Sequence, residues 1–212
     1  MTDRRAACLG LLCVLGVSLA GCKIVPISEV GAGAATAFDA EAYTAGLWTE
    51  QALPHFSSAA RPAADVMPRI VADLAGAGTE FGHRAGEGSP WSFVVSGTGV
   101  VTAKNTESRA GTLAVTLEGA AGPIEAVLQI GPVIRGNAIR DALPFVSFQD
   151  FTNQLEYADV GKALTARAVA GFSGNVDAIA VGDSVNFTGA ISMAGAADKL
   201  LVTPVILEKA AP

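Results

Sequence analysis

The chain has 212 residues, with 14 Lys and Arg against 20 Asp and Glu, 50% hydrophobic residues, 16% charged residues, 3 Cys and 2 His. Its length predicts one domain with at most a small appendage. A pI near 4.9 excludes the phosphate-neutralising surface of a nucleic-acid binder. So few Cys and His exclude zinc fingers, thiolate clusters and a disulfide-dense scaffold, and the hydrophobic fraction excludes disorder.

Arg4 and Arg5 form a positive head, followed by a charge-free apolar run from Ala6 to Ala20. This run is too short to span a bilayer as a helix, which takes about 20 residues, and it fits the apolar region of a secretory signal. It ends in Leu19-Ala20-Gly21-Cys22, which resembles the lipobox of bacterial lipoproteins. The resemblance implies a diacylglycerol on the Cys22 thiol, cleavage after residue 21 and a further acyl chain such as palmitate on the new amine. Several acyl chains on one residue give stable membrane attachment. Cys8 and Cys13 would leave with the signal peptide, so the mature chain could form no disulfide. Lys23 favours the outer over the inner membrane in such lipoproteins. Loss of Arg4, Arg5 and Asp3 leaves 12 basic against 19 acidic residues. Residues 22–37, rich in Gly and Ala, read as a lipidated tether.

Thr36-x-x-Asp39 reads as a helix start, with a helix over Ala40–Ala52 that Pro54 stops. A second helix is expected from an N-cap at Asp65, with Val66, Ile70 and Leu74 on one face and Gly76 and Gly78 closing it; residues 38–80 thus form a helical N-terminal segment. Gly82–Pro90 reads as a loop. The period then changes to 2. Phe93, Val95, Gly97, Gly99 and Val101 share one face of a long, glycine-kinked strand. Leu113, Val115 and Leu117 mark a second strand, and Ile124, Ala126, Leu128 and Ile130 a third. A helix is expected over about 148–168, with Phe151, Leu155 and Ala158 inward. Val185–Met193 and Leu200–Leu207 complete the strands, Pro204 pointing to an edge or unpaired position. Three strands, a helix and two strands give a mainly β, α+β fold, a five-stranded OB-like Greek-key barrel over 91–208. An open α+β sandwich uses the same elements; the long bent first strand favours the barrel.

No metal-ligand, thiol, phosphate-loop or nucleophile-elbow motif occurs, so no enzyme, metal or cofactor is expected. His55 and His83 (in Phe81-Gly82-His83-Arg84) could meet only through the fold. The densest polar stretch holds Arg135, Arg140 and Asp141, followed by Gln149, Asn153 and Gln154. Arg forks with side-chain amides suit a carboxylate, phosphate or polyol ligand or a protein partner. The same groups also suit ion pairs bracing the strand-to-helix connection, with Asp150 a plain N-cap. Phe145, Phe148 and Phe151 read as core.

The run QIGPVIRGNAIRDALPFVSFQDFTNQLEYADV at 129–160, with FGHR at 81–84, VGDSVNFTGA at 181–190 and LLVTPVILE at 200–208, resembles an uncharacterised bacterial family of predicted periplasmic lipoproteins. The resemblance implies an OB-like barrel on the periplasmic face of a membrane, whose genes often neighbour sugar ABC transporters, and it brings no catalytic residues. Two functions follow as expectations. One is a lipid-anchored accessory module that binds a small solute or a sugar ABC transporter component. The other is a structural envelope lipoprotein that docks a protein partner.

Overall fold

A computed structural model describes residues 38–211 apart from Ala121. The expected signal peptide, Cys22, the expected tether and Thr36 lie outside the described residues.

β3 (Trp91–Asn105) is a 15-residue strand because it serves two neighbours. Its first two-thirds, Trp91–Val100, pair antiparallel with β6 (Ser184–Met193), and Gly99–Asn105 pair with β4 (Thr112–Gly119). β4 hairpins into β5 (Gly122–Gln129), β5 runs parallel to β7 (Leu200–Lys209) through Ala126–Leu128, and β7 returns antiparallel to β6. The order β3-β4-β5-β7-β6-β3 closes a five-stranded barrel. Closure demands that β3 swing from one partner to the other, and Gly99 sits where it pairs with both Leu117 and Val185. A Cβ on Gly99 would lie 2.6 Å from the Thr116 carbonyl oxygen and 2.7 Å from Val115 Cγ1. Pro204 lies neither at an edge nor unpaired. It faces Gly189 at a register shift in the closed β6–β7 ladder, where the irregularity spares its missing N–H.

The helices precede and interrupt the barrel. α1 (Ala40–Leu47) is capped by Asp39, whose carboxylate accepts the amides of Glu41 and Ala42, both at 3.0 Å. It does not end at Pro54. A one-turn π-helix, Trp48–Ala52, widens the spiral and the chain continues as α2 (Leu53–Ala59). A proline lacks an N–H and crowds the carbonyl four residues back, and the wide turn gives its ring room. Arg61–Pro62 (β1) pairs parallel with β3. α3 (Ala63–Ala72) starts before Asp65, so Asp65 lies in its first turn and Pro68 in its interior. Asp73 opens α4 (Leu74–Phe81), which contains Gly76 and Gly78 rather than stopping at them; a Cβ on Gly78 would collide with the Trp91 ring. Gly82–His83, expected as loop, forms a short strand β2 on β3. A four-residue helix α5 (Ala138–Asp141) and a 3-10 turn at Phe148–Asp150 lead into α6 (Gln154–Val176), which starts later and ends later than its periodicity suggested. Lys104 Nζ closes its far end by donating to the Val176 and Ile179 carbonyls at 2.7 and 2.8 Å.

Two apolar cores result. One fills the barrel and its α3–α4 end, with Phe93, Val95, Val115, Leu128, Phe187 and Ile191. The other lies outside the barrel wall, where Val94, Ala190 and Val205 meet Phe56 of α2, Ile139 and Leu143 around α5, and Val160 and Leu164 of α6. The helical segment therefore shares a core with the barrel, in one compact unit that begins at Asp39.

Gly99→Ala is expected to destabilise the domain by about 1–3 kcal/mol through overpacking at the closure point. Urea unfolding checks it: the midpoint falls while the slope stays constant.

Candidate functional site

α5 and the residues after it pack between the barrel wall and α6. Arg140 has only 8% of its surface exposed. Its Nε and Nη2 reach Asp141 Oδ1 at 2.8 and 2.7 Å, Nη1 donates to the Tyr157 carbonyl at 3.2 Å, and its guanidinium carbon lies 3.6 Å from the Tyr157 ring centre. A buried guanidinium requires such a paired and stacked setting. Burial raises the Tyr157 phenol above its usual value, with the Arg140 charge acting against it. Gly161 lets α6 approach, since a Cβ there would sit 2.7 Å from Asn137 Oδ1.

The six polar residues singled out in the sequence do not converge on one cavity. Arg140 and Asp141 pair with each other. Asn153, not Asp150, caps α6, its Oδ1 accepting Leu155 N and Glu156 N at 2.9 and 3.0 Å. Asp150 instead accepts the Ser147 amide at 2.8 Å in the capping box of the 3-10 turn. Arg135, Gln149 and Gln154 have exposed surfaces. The main chain of Arg135 is pinned by buried Gln129, whose Oε1 accepts Arg135 N at 2.8 Å and whose Nε2 donates to Arg135 O and Thr203 Oγ1. The aromatic expectation also changes. Phe145 and Phe151 are half-buried, but Phe148 is exposed, and so is Leu155, expected inward. The buried stripe of α6 is Val160, Leu164, Ala168, Phe172 and Val176.

The other side of the same turn brings together His55 of α2 and His83 of β2, the chain's two histidines. His55 Nε2 lies 3.1 Å from the Ala142 carbonyl oxygen, and His83 Nδ1 lies 2.8 Å from the Asp141 carbonyl oxygen. A carbonyl only accepts, so these nitrogens carry the protons, and His55 Nδ1 and His83 Nε2 keep lone pairs in the neutral rings. Both rings line a pocket of about 140 Å³ with Ser92, whose hydroxyl is buried without a protein hydrogen-bond partner. Phe81, Val94, Ala142 and Pro144 supply apolar walls. The pocket is thus lined by two imidazoles and one hydroxyl. Burial lowers the His55 pKa, the Ala142 bond opposes that shift and nearby His83 adds to it.

Two of the larger hollows are more open to solvent. One, of about 480 Å³, runs between residues 132–137 and α6 from Gly161 to Ala170. The other, of about 570 Å³, lies beside Arg61 and Arg69, where Arg69 stacks on Phe81 and pairs with Glu80 at 2.8 Å. Among the described residues no cluster of three or more His, Cys, Asp or Glu could hold a metal ion, and no helix is long and apolar enough to cross a membrane.

Residues 12–208 match the family described as predicted periplasmic lipoprotein (DUF2291). The chain belongs to this family. Its barrel is similar to the crystal structure of an OB-fold protein from Thermotoga maritima, with 17% identity and a TM-score of 0.66, over 82% of this chain and 99% of that one. At that identity the likeness shows the fold, which is an OB-fold barrel. No curated protein matches the chain. The His55–His83–Ser92 pocket lies outside the polar stretch of the sequence. The one sequence signal that could have found it is the FGHR segment, which carries one of only two histidines.

Because the folded pKa of His55 lies below its usual value, the unfolded chain takes up that proton first. The His55 contribution is complete above about pH 6.5, the ordinary imidazole value. It is lost as pH falls through the lower folded value. Urea midpoints between pH 7.5 and 5.5 should therefore fall in the wild type and change less in His55→Gln.

Proposed function

We propose that this lipoprotein is a lipid-anchored accessory module that binds a small neutral solute of the sugar or polyol class and assists its uptake through sugar ABC transporter components. The observation that carries the reading is the unpartnered Ser92 hydroxyl in a pocket that it lines together with two imidazoles held by carbonyls. A few convergent polar groups among apolar walls is the usual make-up of a small-molecule site. None of the residues lining this pocket is a carboxylate or a guanidinium, which suits an uncharged, hydroxyl-bearing ligand. Each ligand O–H could donate to an imine nitrogen, while Ser92 both donates and accepts. In this reading Arg140, Asp141 and Asn153 hold the frame of the site. Arg135, Gln149 and Gln154 remain exposed and free to meet a transporter component or solute.

Thermal unfolding against a panel of pentoses, hexoses and small polyols tests the proposal. Ligand at 100 times its Kd stabilises by about 2.7 kcal/mol, or roughly 5–10 °C in Tm for a domain of this size. Ser92→Ala is expected to keep or raise basal stability, since it deletes an unpaired buried hydroxyl, and to abolish the ligand shift. No shift with any member of the panel contradicts the proposal.

A further inference from the structure

Arg84 is a residue of the FGHR segment that the Ser92 pocket does not use. On the β2–β3 ladder His83 is paired with Ser92. One step further along, Arg84 meets Trp91, its guanidinium carbon 4.7 Å from the ring centre. Side chains alternate along a strand, so Trp91 lies on the face of β3 opposite Ser92. A separate hollow of about 260 Å³ is lined by Arg84, Ser89 and Trp91, with Leu74, Pro90 and Met193 among its apolar walls.

The polar groups of this hollow are donors held in place. Arg84 Nε donates to the Ser89 carbonyl at 3.1 Å, and the Trp91 ring supports the guanidinium. That ring is itself fixed by α4, where Gly78 leaves no room for a Cβ beside it. The two Nη groups of Arg84, the Ser89 hydroxyl and the Trp91 indole N–H have no protein hydrogen-bond partner among the described residues. No Asp or Glu lines the hollow. Glu87, three residues beyond Arg84, forms no ion pair with it, and Asp198 Oδ2 accepts the amides of Ala194 and Gly195 at 2.7 and 2.8 Å.

A guanidinium without a carboxylate partner, beside a hydroxyl and an indole N–H, suits an anion. One guanidinium matches a single negative charge, and its Nη pair is the fork that a carboxylate takes bidentately. A phosphate dianion calls for more positive charge than these residues supply. The apolar walls suit a short hydrocarbon tail.

We propose that this hollow binds a small organic monocarboxylate, with Arg84 as its anchor and Ser89 and Trp91 as further donors. It shares no lining residue with the Ser92 pocket, so it stands or falls independently of the solute proposed there. The chain has two tryptophans, so in full-length Trp48→Phe protein the indole emission reports Trp91 alone. Butyrate is titrated at constant ionic strength, with butyramide and inorganic phosphate as comparisons, and calorimetry follows the same mixtures. Butyrate is expected to give a saturable response, and butyramide and phosphate none. Arg84→Gln, at an exposed position, is expected to weaken butyrate binding about 10- to 100-fold. The proposal is overturned by no saturable response to butyrate in either measurement, or by butyramide or phosphate binding as tightly as butyrate. Full affinity retained in Arg84→Gln overturns it too.

Discussion

The structure turns on one buried cation. Arg140 sits in a turn of only four helical residues, yet it ties together elements far apart in sequence. Its guanidinium packs on Tyr157 of α6 and pairs with Asp141, fixing the turn against the long helix. The carbonyls of Asp141 and Ala142, presented by that turn, receive His83 and His55 from β2 and α2. A charge this deeply buried is tolerated only while its partners stay in place, which makes the turn an all-or-none junction rather than a set of independent contacts. The frame of the polar stretch and the histidine pocket are two sides of that junction.

The barrel supplies the rigid wall behind it. Closure removes free edges, and the bend at Gly99 lets one strand pair with two partners. Along β3 the residues Ser92 to Val95 are all buried, because Phe93 and Val95 face the barrel interior while Val94 faces the α5–α6 core. Ser92 lies on this doubly covered stretch, which is how a hydroxyl comes to be buried beside two imidazoles.

The barrel was legible in the residues wherever one side of a strand faced solvent. The alternation of Leu113, Val115 and Leu117 read directly as a strand, and the element order gave the topology. Helix limits were less legible where proline dominated the local signal: the π-turn before Pro54 and the interior Pro68 are tertiary accommodations that propensity does not report. The phase of α6 was misread because Phe151 and Leu155 are apolar near its start, whereas its buried stripe begins at Val160. The pocket was hidden for a different reason. Its two histidines are 28 residues apart and meet only through carbonyls of a third segment. Arginines and amides crowded together in sequence suit a ligand patch or ion pairs bracing the connection, and capping and pairing absorb three of the six.

The Arg140 junction couples the helical segment and the pocket to the barrel. Native-state hydrogen exchange on Arg140→Ala tests it most directly. With Asp141 25% exposed, the expected loss is about 2 kcal/mol, below the range for a fully buried pair. That corresponds to roughly 30-fold faster exchange. This increase is expected together in α2, β2, α5 and the first turns of α6, with the β3–β6 ladder keeping its protection. Unchanged protection in α2 and β2, with loss confined to α5, would contradict it.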